Sequence, residues 1–427
     1  MAESVDRPTP GLGPPPDAVA GRDSSVAPGP TVLVAVATTV ANLLGYAFNA
    51  VMSRTLGVAG YGELASLLAV VVVATVAGTA LQAVIARRLS AHGDAAGLVP
   101  TILLVATVVT VVTAALSPLL KAFLDIGTYP PVWWTAAFLL PTTLAFGGQG
   151  LLQGAGRFRA FGALVVAVQL ARLVGGVVAA VTGTGTSVAL AVGTGTTLLV
   201  VSVAAPLVLP PGRLGRAGVG RFGAALLRDV ARDITPILGV LVLSNLDLLL
   251  ARHYLSDHDS GLYAAGNLVT RAAFWGPAFV ILVTYPRLAV PEYRAAALRH
   301  GTRWLVIIAV VGLAASVVAA GTVPLLLGAE YGQVSHLVWL FAAAGLALVG
   351  TQFAVFAGLA VHDRRLGRVV WLAVAAECAV VALGAHHSIQ QIITTALGCG
   401  LALLAVSVLV ELRRPVVAAL VVTPPVS

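Results

Sequence analysis

The sequence predicts an all-α integral membrane protein of about twelve transmembrane helices, in two parallel six-helix halves around a central cavity. Three observations carry this prediction. The first is composition: 59% of the 427 residues are hydrophobic, 10% are charged, and the mean hydropathy is +0.98. A soluble domain averages about 25% charged residues. No soluble core of this length absorbs so much apolar side chain, so lipid is the solvent. The second is the distribution of Lys and Arg, and the third is a stretch that occurs twice.

Residues 1–30 contain seven prolines among small polar residues and show no apolar periodicity, which reads as a disordered cytoplasmic tail. The tail lacks a basic n-region, and the apolar stretch after it is long enough to span, so it is not read as a signal peptide. Residues 31–209 form the N-terminal half, with spans expected near 31–53, 63–86, 98–118, 132–153, 161–182 and 187–209. A Pro/Gly/Arg-rich cytoplasmic linker covers 210–233. The C-terminal half covers 234–411, with spans near 234–253, 263–285, 304–327, 335–359, 369–384 and 389–411, and residues 412–427 form a second cytoplasmic tail. The first, fifth, seventh and eighth spans are the least purely apolar and are expected to face protein or water.

Basic residues orient these spans. With the N-terminus inside, the cytoplasmic segments hold 20 of the 25 Lys and Arg, whereas the outer segments hold Arg54, Lys121 and Arg252. That bias sets both termini in the cytoplasm and requires an even number of spans. The basic residues lie in short loops without interleaved aromatics, so the pI near 10.1 does not point to nucleic acid. Cys378 and Cys399 fall inside apolar segments and read as small buried hydrophobes.

Asn49–Glu63 reads NAVMSRTLGVAGYGE, and Asp247–Tyr263 reads DLLLARHYLSDHDSGLY. Each copy starts with a polar residue in an apolar helix. Arg54 or Arg252 follows five positions on, then a short loop and a Gly-plus-Tyr entry into the next helix, through Tyr61-Gly62 or Gly261 and Tyr263. The copies lie almost half a chain apart and both run from inside to outside. This is one ancestral half used twice, related by an axis along the membrane normal, with a transport site expected at the repeat interface. Arg54 and Arg252 fall near the outer ends of their helices, where snorkelling to the interface is the expected fate.

A charge at mid-bilayer costs at least about 2.5–3.5 kcal/mol on insertion scales, so each one present asks for a function or a partner. Arg172, Asp247, Arg271 and Glu377 are such residues. Tyr263, Asn267, Arg271 and Trp275 recur every four residues on one face of the eighth span, and Asp247 lies on a similar face of the seventh, with Asn245 nearby. Tyr46, Asn49 and Ser53 mark the first span, and Thr75, Thr79 and Gln82 the second. The polar faces thus lie on spans one and two and on their repeat equivalents. Arg271, Asn267, Asn49, Tyr46, Gln82 and Arg172 are the candidate substrate-binding residues, and Asp247 and Glu377 the candidate ion-coupling residues. Two bland alternatives stay open: Asp247 and Arg271 could neutralise one another as a structural pair, and Arg172 could bond backbone carbonyls. The Gly147/Gly148/Gln149/Gly150…Gly154 run lacks the strand–loop–helix context of a phosphate loop and reads as close helix packing. His386-His387 is a weak metal signal. No HExxH, GxSxG or carboxylate cluster points to catalysis, no cofactor is implied, and coupling to protons or sodium is left open.

Ser53–Ala69, SRTLGVAGYGELASLLA, resembles the start of the polysaccharide-biosynthesis flippases of the MOP superfamily, which also holds the lipid II flippases and the MATE exporters. Asn245–Leu288 is similar to the same family through Asn245-x-Asp247, Gly261-x-Tyr263 and Tyr285-Pro286-Arg287, in that order. The resemblance implies a MATE-like fold in the plasma membrane. It also implies a cargo, an undecaprenyl-pyrophosphate-linked oligosaccharide flipped outward for cell-surface polysaccharide synthesis. The expected partners are that lipid-linked oligosaccharide, membrane lipids, a polysaccharide polymerase and glycosyltransferases. Twelve spans rather than fourteen depart from the lipid II flippases. The alternative is a MATE-type ion-coupled exporter of small cationic or amphipathic molecules, which would want an acidic cavity.

Overall fold

The computed structural model describes residues 28–92, 97–208, 220–288, 290–361 and 365–413, and every regular element among them is helical. The N-terminal half comprises α1 (Pro28–Ala74), α2 (Val76–His92), α3 (Leu98–Ala115), α4 (Ser117–Phe123), α5 (Pro130–Gly154), α6 (Phe158–Thr182) and α7 (Thr186–Val208). The C-terminal half comprises α8 (Gly220–Tyr254), α9 (Asp257–Trp275), α10 (Ala278–Leu288), α11 (Pro291–Ala319), α12 (Val323–Leu327), α13 (Val338–Leu359), α14 (Arg365–Leu383) and α15 (Ile389–Leu412), with 3-10 turns at Ala320–Thr322 and Ala329–Leu337. Nine segments of the described residues are long and apolar enough to cross a membrane, and one of them, Val32–Ser90, contains the first two expected spans. With α8 and the α9–α10 pair, the fold is a twelve-span, multi-pass membrane bundle.

α1 holds the first span and the start of the second. The two meet at Gly57, whose φ of 66° lies in the left-handed region that glycine reaches without a Cβ clash. The chain folds back there. In a straight helix, twelve residues separate Asn49 from Tyr61 by about 18 Å, yet the Tyr61 hydroxyl donates to Asn49 Oδ1 at 3.0 Å. In the second half the chain turns at Leu255-Ser256, and the Ser256 hydroxyl caps α9 by accepting from the Asp259 amide at 3.1 Å.

The glycine run of α5 packs helices together, as its sequence context predicts. A Cβ on Gly147 would sit 2.5 Å from Ile102 of α3, and one on Gly150 or Gly154 would sit 2.8–2.9 Å from α2 backbone. Large apolar side chains elsewhere point outward, as lipid requires: Val181, Val318 and Leu383 are more than 80% exposed.

Several boundaries differ from those read in the sequence, among them the start of the ninth span, where α11 begins at Pro291 rather than near 304. α8 starts at Gly220, inside the segment assigned to the linker, because ALLRDVARDI continues the helical pattern back from the seventh span. The eighth span is two helices, α9 and α10, broken at Gly276-Pro277, where proline cannot donate to the helix. Residues 1–27, most of the expected tail, lie outside the described residues, as do 209–219 of the linker and 414–427 of the second tail.

Candidate functional site

The repeat copies fold alike and meet each other. In the first half Tyr61 OH donates to Asn49 Oδ1 at 3.0 Å; in the second, Tyr263 OH donates to Asp247 Oδ2 at 2.8 Å. The helices carrying these tyrosines cross at their glycines. A Cβ on Gly62 would lie 2.8 Å from the Gly261 amide nitrogen, and one on Gly261 would lie 1.9 Å from the Val58 carbonyl oxygen. The two Gly-Tyr elements therefore bring the backbones of the two halves into direct contact.

Two arginine clasps flank that contact, and they follow the same symmetry. Arg252 donates from Nε to the Leu124 carbonyl at 2.8 Å and from Nη2 to the Asp125 carbonyl at 3.2 Å, both in the N-terminal half after α4. It also pairs with Asp257 at 2.8 Å and bonds Ser260 at 3.2 Å. Asp125 adopts φ 47°, a left-handed conformation that Asp tolerates better than most residues. His253 bonds the Phe123 carbonyl at 2.7 Å and stacks on the Phe123 ring. In the mirrored arrangement Arg54 donates from Nη2 to the Leu325 carbonyl of α12. Beside it the Ser53 hydroxyl donates to the Leu327 carbonyl, and the Tyr331 hydroxyl donates to the Ser53 carbonyl, both at 3.1 Å. The snorkelling expected of Arg252 is thereby corrected: the residue is 5% exposed, because backbone carbonyls of the opposite half satisfy its guanidinium. Arg54 is exposed, yet it too reaches across.

Deeper in the bundle, the candidate residues form two groups. The first straddles the halves. Arg172 of α6 and Arg271 of α9 lie within each other's electrostatic field, and Tyr61 lies in the field of both. Tyr46, which is exposed, lies in that of Arg271. Arg172 stands over the Phe48 ring at 4.5 Å, and its Nε has no hydrogen-bond partner. Arg271 donates from Nη2 to Asn245 Oδ1 at 3.0 Å. Among the described residues, neither arginine has a carboxylate within salt-bridge distance. Thus Asp247 and Arg271 form no direct ion pair, although each lies in the field of the other, and backbone carbonyls do not take up Arg172 Nε.

The second group is sealed inside the C-terminal half. Asp247, Asn267 and Glu377 are each at most 3% exposed. Asn267 donates from Nδ2 to Asp247 Oδ2 at 3.4 Å, and Glu377 lies in the field of Asp247. One oxygen of each of the three, Asp247 Oδ1, Asn267 Oδ1 and Glu377 Oε1, has no hydrogen-bond donor. An unmatched cluster of buried acceptors can take a proton or a small cation.

Gln82 joins neither group. It donates from Nε2 to Gln153 Oε1 at 3.2 Å, joining α2 to α5. Asn49 uses its amide on the Tyr61 hydroxyl and on the Gly45 carbonyl, at 2.7 Å. His386 stacks on Tyr254 and bonds the Val381 carbonyl, and no cluster of three metal-ligating side chains occurs among the described residues.

No family model matches the chain, and no curated protein matches it in sequence. Solved structures do match. An inward-facing multidrug-resistance MATE transporter of the MOP superfamily aligns with TM-score 0.68 and 14% identity, over 87% of this chain and 94% of that one. The fold is that of the MATE transporters. An outward-facing MATE multidrug transporter of the same superfamily gives TM-score 0.63 and 13% identity over 90% and 93%. A Pyrococcus furiosus MOP-superfamily transporter, described as having a binding pocket of reversed polarity that suggests a different function, gives 0.57 and 12% identity over 90% and 93%.

Within this MATE fold, sequence reasoning missed two partners of the first group. Tyr61 read only as a helix entry, although its repetition as Tyr263 is a usable signal. Asn245 was noted beside Asp247, but its bond to Arg271 crosses from α8 to α9 and leaves no local pattern.

Proposed function

We propose that the protein moves an undecaprenyl-pyrophosphate-linked oligosaccharide across the plasma membrane by alternating access, as a flippase for cell-surface polysaccharide. One observation carries this reading: two guanidiniums, one from each half, lie in one another's field, and among the described residues neither has a carboxylate within salt-bridge distance. Two cations without an ion pair in low dielectric call for an anion, and a pyrophosphate can engage an arginine fork bidentately. Tyr46 beside them offers a hydroxyl. Because the arginines belong to different halves, a bound dianion is gripped from both sides and released as they part.

The halves are latched at the end bearing Gly57 and the α8–α9 turn. The charge bias puts that end outside, so the site opens toward the cytoplasm, where a lipid-linked cargo is loaded. Asp247 and Glu377 supply the ion-coupling position. Those buried carboxylates are also what favours the second reading, a MATE-type ion-coupled exporter of cationic or amphipathic molecules.

Arg172→Ala and Arg271→Ala test the choice. Each removes a charge-assisted contact of about 1.5–3 kcal/mol, so export of lipid-linked glycan falls about 10–100-fold with normal membrane insertion. Normal surface glycan in a deletion strain complemented with either variant overturns the reading; raised resistance to cationic drugs in cells expressing the protein favours the exporter.

A further inference from the structure

A cavity of about 240 Å³ lies in the N-terminal half, lined by residues that take no part in the central site. It is the gap between α3 and α7, which both pack on α5 more than on one another. Ile102 and Leu103 form one wall, Leu198 and Val208 the other, and Gly148 and Leu164 lie between them. Ser202 is the one polar side chain in the lining. The gap exceeds the roughly 150 Å³ apolar cavity that takes up benzene in a soluble protein. At its lips Leu103 is 52% and Leu198 41% exposed, so it opens sideways onto lipid. Gly148 keeps it open: a Cβ there would reach ordinary contact with Leu164 at 3.5 Å and Val208 at 3.7 Å, and a larger side chain would fill the space.

One end of this cleft carries a cation. Arg157, exposed at the start of α6, donates from Nη1 to the Leu207 carbonyl, next to the lining residue Val208. Val208 ends α7, and Leu151 and Val99 lie near the ends of α5 and α3 on the same side. The cleft therefore runs inward from the bundle face that the charge bias puts in the cytoplasm.

We infer that this cleft holds the head-proximal part of the hydrocarbon chain of a polyprenyl phosphate, with its anionic head at Arg157. An apolar slot open to lipid excludes water and takes hydrocarbon. A single cleft with one cation at its end among the described residues suits a single-chain lipid phosphate better than a two-chain phospholipid. The inference rests on the lipid-linked cargo proposed above: the lipid docks first, with its head at Arg157, at the leaflet where loading occurs, and its pyrophosphate then moves to the central arginines.

Full-length protein in neutral phosphatidylcholine nanodiscs, photolabelled with diazirine-tagged undecaprenyl phosphate and mapped by peptide mass spectrometry, tests this. The expected result is labelling of α3, α5 and α7 at the cleft that excess phosphatidylglycerol does not displace. Gly148→Leu and, from the lip, Ser202→Phe each lower it about tenfold or more, and Arg157→Gln lowers it about tenfold. Gly148→Ala labels nearly as wild type and shows that the site folds. Labelling scattered over the lipid-facing surface, unchanged in the filled variants or displaced by phosphatidylglycerol overturns the inference. Export is a separate readout. A cleft that labels in a protein that moves no lipid-linked glycan removes the transport reading alone; export through a protein whose cleft never labels removes the cleft alone.

Discussion

Replacing Arg252 with alanine should open the latched end of the bundle. Two of its hydrogen bonds cross between the halves, to the Leu124 carbonyl at 2.8 Å and the Asp125 carbonyl at 3.2 Å, and the residue is nearly fully buried. A hydrogen bond to a charged group contributes about 1.5–3 kcal/mol, so the two together hold the latch by about 4 kcal/mol. The ion pair with Asp257 adds little, because Asp257 is 65% exposed and belongs to the same half. Losing about 4 kcal/mol shifts a two-state balance by about three orders of magnitude. The assay is double electron–electron resonance between spin labels at Thr128 and His258, exposed positions on opposite halves outside the clasp, with Cys378 and Cys399 replaced by serine. The native protein gives one short distance, and Arg252→Ala adds a longer population that dominates. Arg54→Ala, which removes one bond from an exposed arginine, changes the distribution by a few-fold at most, in keeping with about 1 kcal/mol or less. A distance distribution unchanged in a folded Arg252→Ala protein would refute the latch; equal effects from both arginines would refute the role given to burial.

Gly261→Ala places a methyl 1.9 Å from the Val58 carbonyl, so the halves cannot approach as they do; overpacking of this kind costs about 1–3 kcal/mol or more, and the same spin-label pair should report a longer distance without loss of helical circular dichroism. Asp247→Asn leaves an oxygen to accept from Tyr263, so thermal stability should change by less than about 1.5 kcal/mol while coupled transport in proteoliposomes is lost; full transport by this variant removes the ion-coupling role.

The features legible in the sequence are those with a period or a charge. Apolar length set the spans, the basic bias set an even count, and the repeat of Asn49–Glu63 in Asp247–Tyr263 foretold paired structure. Arg172 and Arg271 were legible because a charge in lipid is conspicuous in a list of letters. The clasps were not, because Arg252 and Arg54 bind main-chain carbonyls, and Leu124, Asp125 and Leu325 look like any other residues until the chain is folded. Terminal position suggested snorkelling, and only the return of the α4 loop buries Arg252. Gln82 looked like part of a cavity stripe by helical spacing, but spacing does not say which neighbour lies opposite, and here it is Gln153. The cleft left no sequence signal, since it is made by two helices failing to meet.

The repeat gives the two halves different chemistry at one equivalent position. Asn49 and Asp247 occupy equivalent positions, and each receives a tyrosine hydroxyl from the helix that follows. In the first half the acceptor is an amide, which cannot titrate and whose Nδ2 is also bonded, to Gly45. In the second it is a carboxylate with an oxygen left without a donor, in the field of Glu377. One duplicated hydrogen bond is therefore a fixed strut on one side and an ionisable one on the other. Asp247 also lies in the field of Arg271, whose guanidinium Asn245 holds two residues away on the same helix. On the proposed reading, neutralising Asp247 with a proton or a cation strengthens the net positive field at the central site, and releasing that ion weakens it. The proposed coupling needs no long pathway: Asn245 and Asp247 sit on one helix, Asn245 bonded to the arginine and Asp247 to the buried acceptor cluster, so on that reading occupancy of one site biases the other directly.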